Sequence, residues 1–213
     1  TTAISSISWD DPNFPNIEGF GVWAAKCNFT MGPDGKMYSR MLGGNLVRID
    51  VENARGENLT NGDLVGTKDG SAYGLVFDPQ DENVFYFSNN DKHCIYKYDL
   101  RTKECACWAG QEGKSGYLDG PIGQAMFNKP GQMCVDSEGN IILTDTENHC
   151  IRKITMSTGY VSTLAGKPQN SGYVNGSAED AQFKKPLGIC IDNDDVMYIG
   201  DSENRAIRRL AVE

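Results

Sequence analysis

No apolar run in this 213-residue chain approaches the length of a membrane span. The longest, Val84–Phe87 and Val196–Ile199, are a handful of residues against the roughly 18 to 20 that cross a bilayer. Nor does any stretch hold an apolar stripe at helical spacing, which excludes long amphipathic helices. Histidine is scarce, with only His93 and His149, so there is little material for a histidine triad or a zinc cage. The chain has no Gly-x-Ser-x-Gly elbow, phosphate-binding loop, His-Glu-x-x-His or dinucleotide fingerprint. Basic residues are outnumbered, 20 against 29 acidic, and a net charge of −9 repels polyphosphate, so no nucleic-acid partner is expected. Seven cysteines form no Cys-x-x-Cys pair. Most sit in apolar runs such as Met133-Cys134-Val135 and Ile189-Cys190-Ile191, where they read as small hydrophobes of a core.

What the chain does have is a repeat. Displaced by 56 residues, Ala109–Ile154 matches Ala165–Leu210 without a gap, with 17 identities in 46 positions. The shared skeleton reads Ala-Gly, Ser-Gly-Tyr-x-x-Gly, Ala-x-Phe-x-Lys-Pro, Cys-x-Asp, Asp-x-Glu-Asn and Ile-Arg. His93-Cys94-Ile95 extends the pattern backwards, and Asn45–Asp50 reads as a fainter copy of Cys94–Asp99. Four units follow, at about 10–65, 66–110, 111–166 and 167–213, in a single domain.

Each unit parses into short strands. In the third, Gln132–Val135, Ile141–Thr144, Cys150–Ile154 and Tyr160–Leu164 are β-rich, separated by Gly, Asp and Asn clusters. Four antiparallel strands per unit of this length predict an all-β fold, a β-propeller. A twisted four-stranded sheet has two apolar faces and buries both only by stacking against neighbours, so the units stand radially. The Gly-rich connections Gly110–Pro130 and Gly166–Pro186 then run from the outer strand of one blade to the inner strand of the next.

The strings Gly116–Ile154 and Gly172–Leu210, with their Asp-Thr-Glu-Asn and Asp-Ser-Glu-Asn turns, resemble NHL repeats. The Asp-Gly-x-x-x-x-Ala-x-Phe linker is similar to that of bacterial cell-surface and secreted NHL proteins. The resemblance implies a propeller of usually six blades, an extracellular, surface or periplasmic location, and an immunoglobulin-like domain upstream. Four units fall short of six. The last unit reaches Glu213 just after its third strand, and an unpaired blade edge invites aggregation. Two readings follow: Ala3–Trp9, within a ring-closing stretch over residues 1–9, supplies the missing strand, or the chain is part of a longer propeller.

Several residues invite chemistry. His93 and His149 occupy the same place in successive units, so as metal ligands they diverge; a turn-bonding role fits better. Asp145 and Asp201 lie seven residues before Arg152 and Arg208, a spacing that predicts a local Asp–Arg bond in each blade. Asp192–Asp195 lacks the spacing of a calcium loop. Neither calcium nor zinc is supported, and no cofactor is expected. The loops leading into the inner strands present Tyr73, Asn128, Lys129, Lys184 and Lys185, the expected ligand-binding residues if they line the channel mouth. That mouth is mildly basic and suits an anionic or polyhydroxylated partner. The expected function is noncatalytic binding of a protein or carbohydrate ligand at the bacterial cell surface. The alternative is a metal-dependent lyase or lactonase-like hydrolase with its site in the channel.

Overall fold

The computed structural model describes residues 25–41, 46–50, 52, 55–60 and 73–211. Blade 1 contains β1 (Ala25–Met31), β2 (Met37–Met41), β3 (Leu46–Asp50) and β4 (Arg55–Asn58). Blade 2 contains β5 (Leu75–Phe77), β6 (Val84–Asn89), β7 (Cys94–Asp99) and β8 (Cys105–Gly110). A short β9 (Gly120–Pro121) follows in the connection. Blade 3 contains β10 (Pro130–Val135), β11 (Ile141–Asp145), β12 (Cys150–Thr155) and β13 (Tyr160–Ala165). Blade 4 contains β14 (Pro186–Ile191), β15 (Met197–Asp201) and β16 (Ala206–Leu210). Strands follow chain order within every blade, each antiparallel to the next, and the four sheets form a β-propeller.

The fainter first repeat holds: β3 takes the place in blade 1 that β7 takes in blade 2. Two details depart from the sequence reading. The connection into blade 3 is not a plain crossover, because its β9 pairs with β13, Val161 opposite Gly120, and adds a fifth strand to the outer edge. The polar link Asp145–His149 is a 3-10 turn over Thr146–Asn148, closed by His149 in the left-handed conformation. The expected ring-closing segment, Ala3–Trp9, lies outside the described residues.

Alternate residues of each strand serve opposite neighbours, as the two-residue period of a strand requires. Ile141, Leu143 and Ile154 of blade 3 pack with Val76, Val84, Tyr86 and Ile95 of blade 2. From the other face, Ile142 and Ile151 pack with Ile189, Met197 and Ile199 of blade 4. Blades 1 and 2 meet through Tyr38 and Leu46 against Leu75, Phe85, Phe87 and Tyr96.

Hydroxyls stitch the inner strands together around the axis. Ser88 accepts from the Gly74 amide at 2.9 Å and donates to the Gly131 carbonyl at 2.7 Å. One blade on, Thr144 and Thr146 donate to the carbonyls of Leu187 at 2.9 Å and Pro186 at 2.8 Å. This closeness requires glycine at 131: a methyl there would fall on the Thr144 hydroxyl and come within 2.9 Å of the Leu187 carbonyl.

Candidate functional site

The predicted Asp–Arg bond is present and buried in both motif-bearing blades. Asp145 lies at the end of β11 and Arg152 in β12, both 0% exposed, with Arg152 Nη1 at 2.7 Å from Asp145 Oδ2. The carboxylate also accepts from the Asn128 amide at 2.7 Å and from Asn148 Nδ2 at 2.9 Å. The other guanidinium nitrogen donates to Asp119 at 2.6 Å and to the Leu118 carbonyl at 3.0 Å. Above and below, Tyr117 and Phe127 rings lie 4.8 and 5.2 Å from the guanidinium carbon. Burial lifts the Asp145 pKa to about 6, while Arg152 and the amides of Asn148 and Asn128 pull it down. Three donors converging on its oxygens favour the carboxylate. Blade 4 repeats the plan: Asp201 accepts from Arg208 at 2.9 Å, Asn204 at 2.8 Å and the Lys184 amide at 2.7 Å. These acidic residues are structural staples that tie each linker to its blade.

The histidines act across blade boundaries. His93 Nδ1 accepts from the Lys129 amide at 3.1 Å, and His149 Nδ1 from the Lys185 amide at 3.2 Å. Each bond links one blade to the residue that opens the next inner strand. Burial, then the Lys129 charge, lowers the His93 pKa, which keeps the ring neutral and able to accept. Among the described residues, no three His, Cys, Asp or Glu side chains gather in a way that could hold a metal ion.

Four of the five expected ligand-binding residues therefore give their backbone to the frame or sit beside it. The amides of Asn128 and Lys184 cap Asp145 and Asp201, and those of Lys129 and Lys185 cap the histidines. At the side-chain level, Lys184 lies 3.4 Å from Glu203, and Lys185 lies 3.4 Å from Glu147 and 3.1 Å from Glu203. Glutamates thus offset the lysines, and this end carries mixed charge. Tyr73 is half-buried where the chain turns into β5.

A large cavity lies at the opposite ends of the inner strands. Its volume is about 840 Å³. Every blade contributes: Phe29–Met31, Leu75–Phe77, Met133–Val135 and Ile189–Ile191 form its walls, with Asp78 and Glu82 beside the turn after β5. None of the five expected residues lines it. Its only charged lining residues are acidic, and Phe29 (49% exposed) and Met31 (60% exposed) present apolar surface. Asp78 is anchored, accepting from Tyr86 Oη at 2.7 Å and the Gln80 amide at 2.8 Å. Burial raises the Cys134 thiol to about 12, so it is an inert wall residue. Sequence reasoning assigned these strands to core alone. The one available signal was that four runs share a register immediately before a polar turn.

Four such blades, two of them carrying a buried Asp–Arg staple, define a repeat propeller. Residues 127–154 match the NHL repeat family model, so the β-propeller carries an NHL repeat in its third blade. It is 30% identical over 152 residues to NHL repeat-containing protein 2 of Gallus gallus, spanning 70% of this chain and 19% of that protein. Among solved structures it is similar to an auxiliary nutrient binding protein from Bacteroides thetaiotaomicron, at 28% identity and TM-score 0.69, covering 85% of this chain and 46% of that one. A gluconolactonase from Xanthomonas campestris shares the fold at 13% identity and TM-score 0.61, covering 89% of this chain and 60% of that one. The chain spans about a fifth of the Gallus gallus relative and about half of the Bacteroides structure. Its relatives include an animal protein as well as bacterial ones.

Proposed function

We propose that this chain is a noncatalytic binding propeller that holds its partner in the axial cavity, at the bacterial surface or in the periplasm. The observation that carries this reading is the wall itself, apolar strand ends from all four blades with acidic groups beside one turn. Such a lining repels anions and suits a neutral glycan or protein segment: apolar faces rest on Phe29 and Met31, and hydroxyl or amide donors meet Glu82. The likeness to a nutrient binding protein of Bacteroides supports binding, and supports the surface or periplasmic location. The partner class moves from the anionic one expected of the lysine-bearing loops to a neutral one.

The test is titration calorimetry against soluble neutral polysaccharides and a matched acidic set. Wild type should bind at least one neutral member. Cys190→Trp, which fills the cavity from an exposed wall position, should lose that binding at unchanged thermal stability. Binding that survives Cys190→Trp, or that prefers the acidic set, would refute the site. Stoichiometric calcium or zinc in purified protein, with lactone-hydrolysing or lyase activity abolished by Cys190→Trp, would favour the enzymatic alternative. The likeness to the gluconolactonase carries the fold and no more.

A further inference from the structure

The two outer strands of blade 2 bring two thiols together where blade 3 holds one. The register of β7 on β8 sets Cys94 opposite Gly110, Ile95 opposite Ala109 and Tyr96 opposite Cys107, with an irregularity between Ile95 and Tyr96. Gly110 offers Cys94 no side chain to pack on. It must be glycine, because its φ is +94° and a Cβ there would lie 3.2 Å from the Cys94 Cα. Cys94 turns instead to Cys107, and the two thiols share a hydrogen bond. The Cys107 thiol itself donates to the Gly110 carbonyl at 3.7 Å, so Cys94 is the donor between them.

In blade 3 the same three places, 56 residues on, hold Cys150, Gly166 and Thr163. That blade keeps the same irregularity and the same close glycine, but it has no second thiol. The frame therefore does not require sulfur at 107. The two thiols of blade 2 also differ in surroundings. Cys94 is 0% exposed and packs with Phe87 and Tyr96, whereas Cys107 is half-buried at the edge of the same cluster. The bond from Cys94 holds the Cys107 thiol below its ordinary value, aided by the Glu112 amide and opposed by burial and the Glu112 charge. The same bond, with burial, pushes Cys94 well up. Cys105, two residues before Cys107 on the same face, is raised to about 11 by burial. The thiolate is the nucleophile, so Cys107 is the sulfur of the three that reacts first.

We propose that Cys107 and Cys94 are the attacking and resolving members of a reversible disulfide across β8 and β7, oxidised by a small-molecule disulfide. The Cys107 thiolate attacks one sulfur of that molecule, whose S–S bond breaks; one small thiol leaves and a mixed disulfide remains on Cys107. Cys94 then gives up its proton and attacks the Cys107 sulfur, and the second small thiol leaves with a proton. Two protein thiols are oxidised and one small disulfide is reduced to two thiols. The cross-link joins the outer strands of blade 2 on the face that packs against blade 1.

The test equilibrates the full chain in a series of reduced and oxidised glutathione buffers, followed by acid quench and peptide mapping. Wild type should pass from free thiols to a Cys94–Cys107 disulfide within single chains, and reduced glutathione should reverse it. Cys94→Ser should stop at a glutathione adduct on Cys107. Cys107→Thr, which carries the blade 3 residue, should leave Cys94 unmodified. A measurement on unaltered protein is free of folding defects: under iodoacetamide, Cys107 should be alkylated at least tenfold faster than Cys94 or Cys105. A disulfide from Cys94 to Cys105, Cys94 and Cys107 unpaired throughout the series, or Cys105 alkylated ahead of Cys107 would each overturn the assignment.

Discussion

Blades 3 and 4 carry nearly the same motif, yet only one of their two faces behaves alike. On the face with the acidic staple, Asp145 and Asp201 are both 0% exposed and each binds an arginine seven residues later. On the other face, Ile151 is 0% exposed beneath blade 4, whereas Ile207, at the same place, is 74% exposed. Facing residues have changed accordingly, with Ile142 replaced by Tyr198 and Thr144 by Gly200. The staple is therefore intrinsic to a unit and its own linker. The apolar face depends on whichever unit comes next.

The largest test of this contrast is Arg152→Ala, which strands Asp145 as an unpaired buried charge and should cost about 3–5 kcal/mol in urea unfolding. Arg208→Ala should cost less, because Arg208 is slightly exposed and water can reach Asp201 once the side chain is gone. Next comes the apolar face. Ile151→Ala should cost about 2–4 kcal/mol, while Ile207→Ala should stay within about 0.5 kcal/mol of wild type. Equal losses would mean that blade 4's outer face is covered. The smallest effect concerns the His93 bond between blades 2 and 3. His93 has a lowered pKa in the fold, so the unfolded chain binds the proton more readily. Stability is complete above the ordinary histidine value of 6.5 and declines as pH falls through it. Melting temperature followed from pH 7.5 to 5 should show this decline in wild type and a flatter profile in His93→Gln.

Much of the frame was legible because a repeat states its own register. Strand order, the Asp145–Arg152 bond and the turn role of the histidines all follow from residues recurring at one offset. The lysines recur at the same offset. The amides of Lys129 and Lys185 bond His93 and His149, a backbone duty that a side-chain reading cannot see. The cavity was hidden by its ordinariness. Phe77, Val135 and Ile191 are unremarkable strand residues, and only the radial arrangement brings four such strand ends around one space. Blade 1 was faint because it lacks the staple: Val47 stands where blade 3 has Arg152.

The pairing of β9 with β13 bears on how this molecule comes apart. The connection from Gly110 touches the rim of blade 3 at Gly120 and its innermost strand at Pro130, so it spans the sheet from hub to rim. Peeling β13 therefore cannot proceed without first releasing the segment that precedes the blade. The smallest piece able to open by itself begins at that connection and ends at Ala165, a boundary shifted upstream of the sheet it serves.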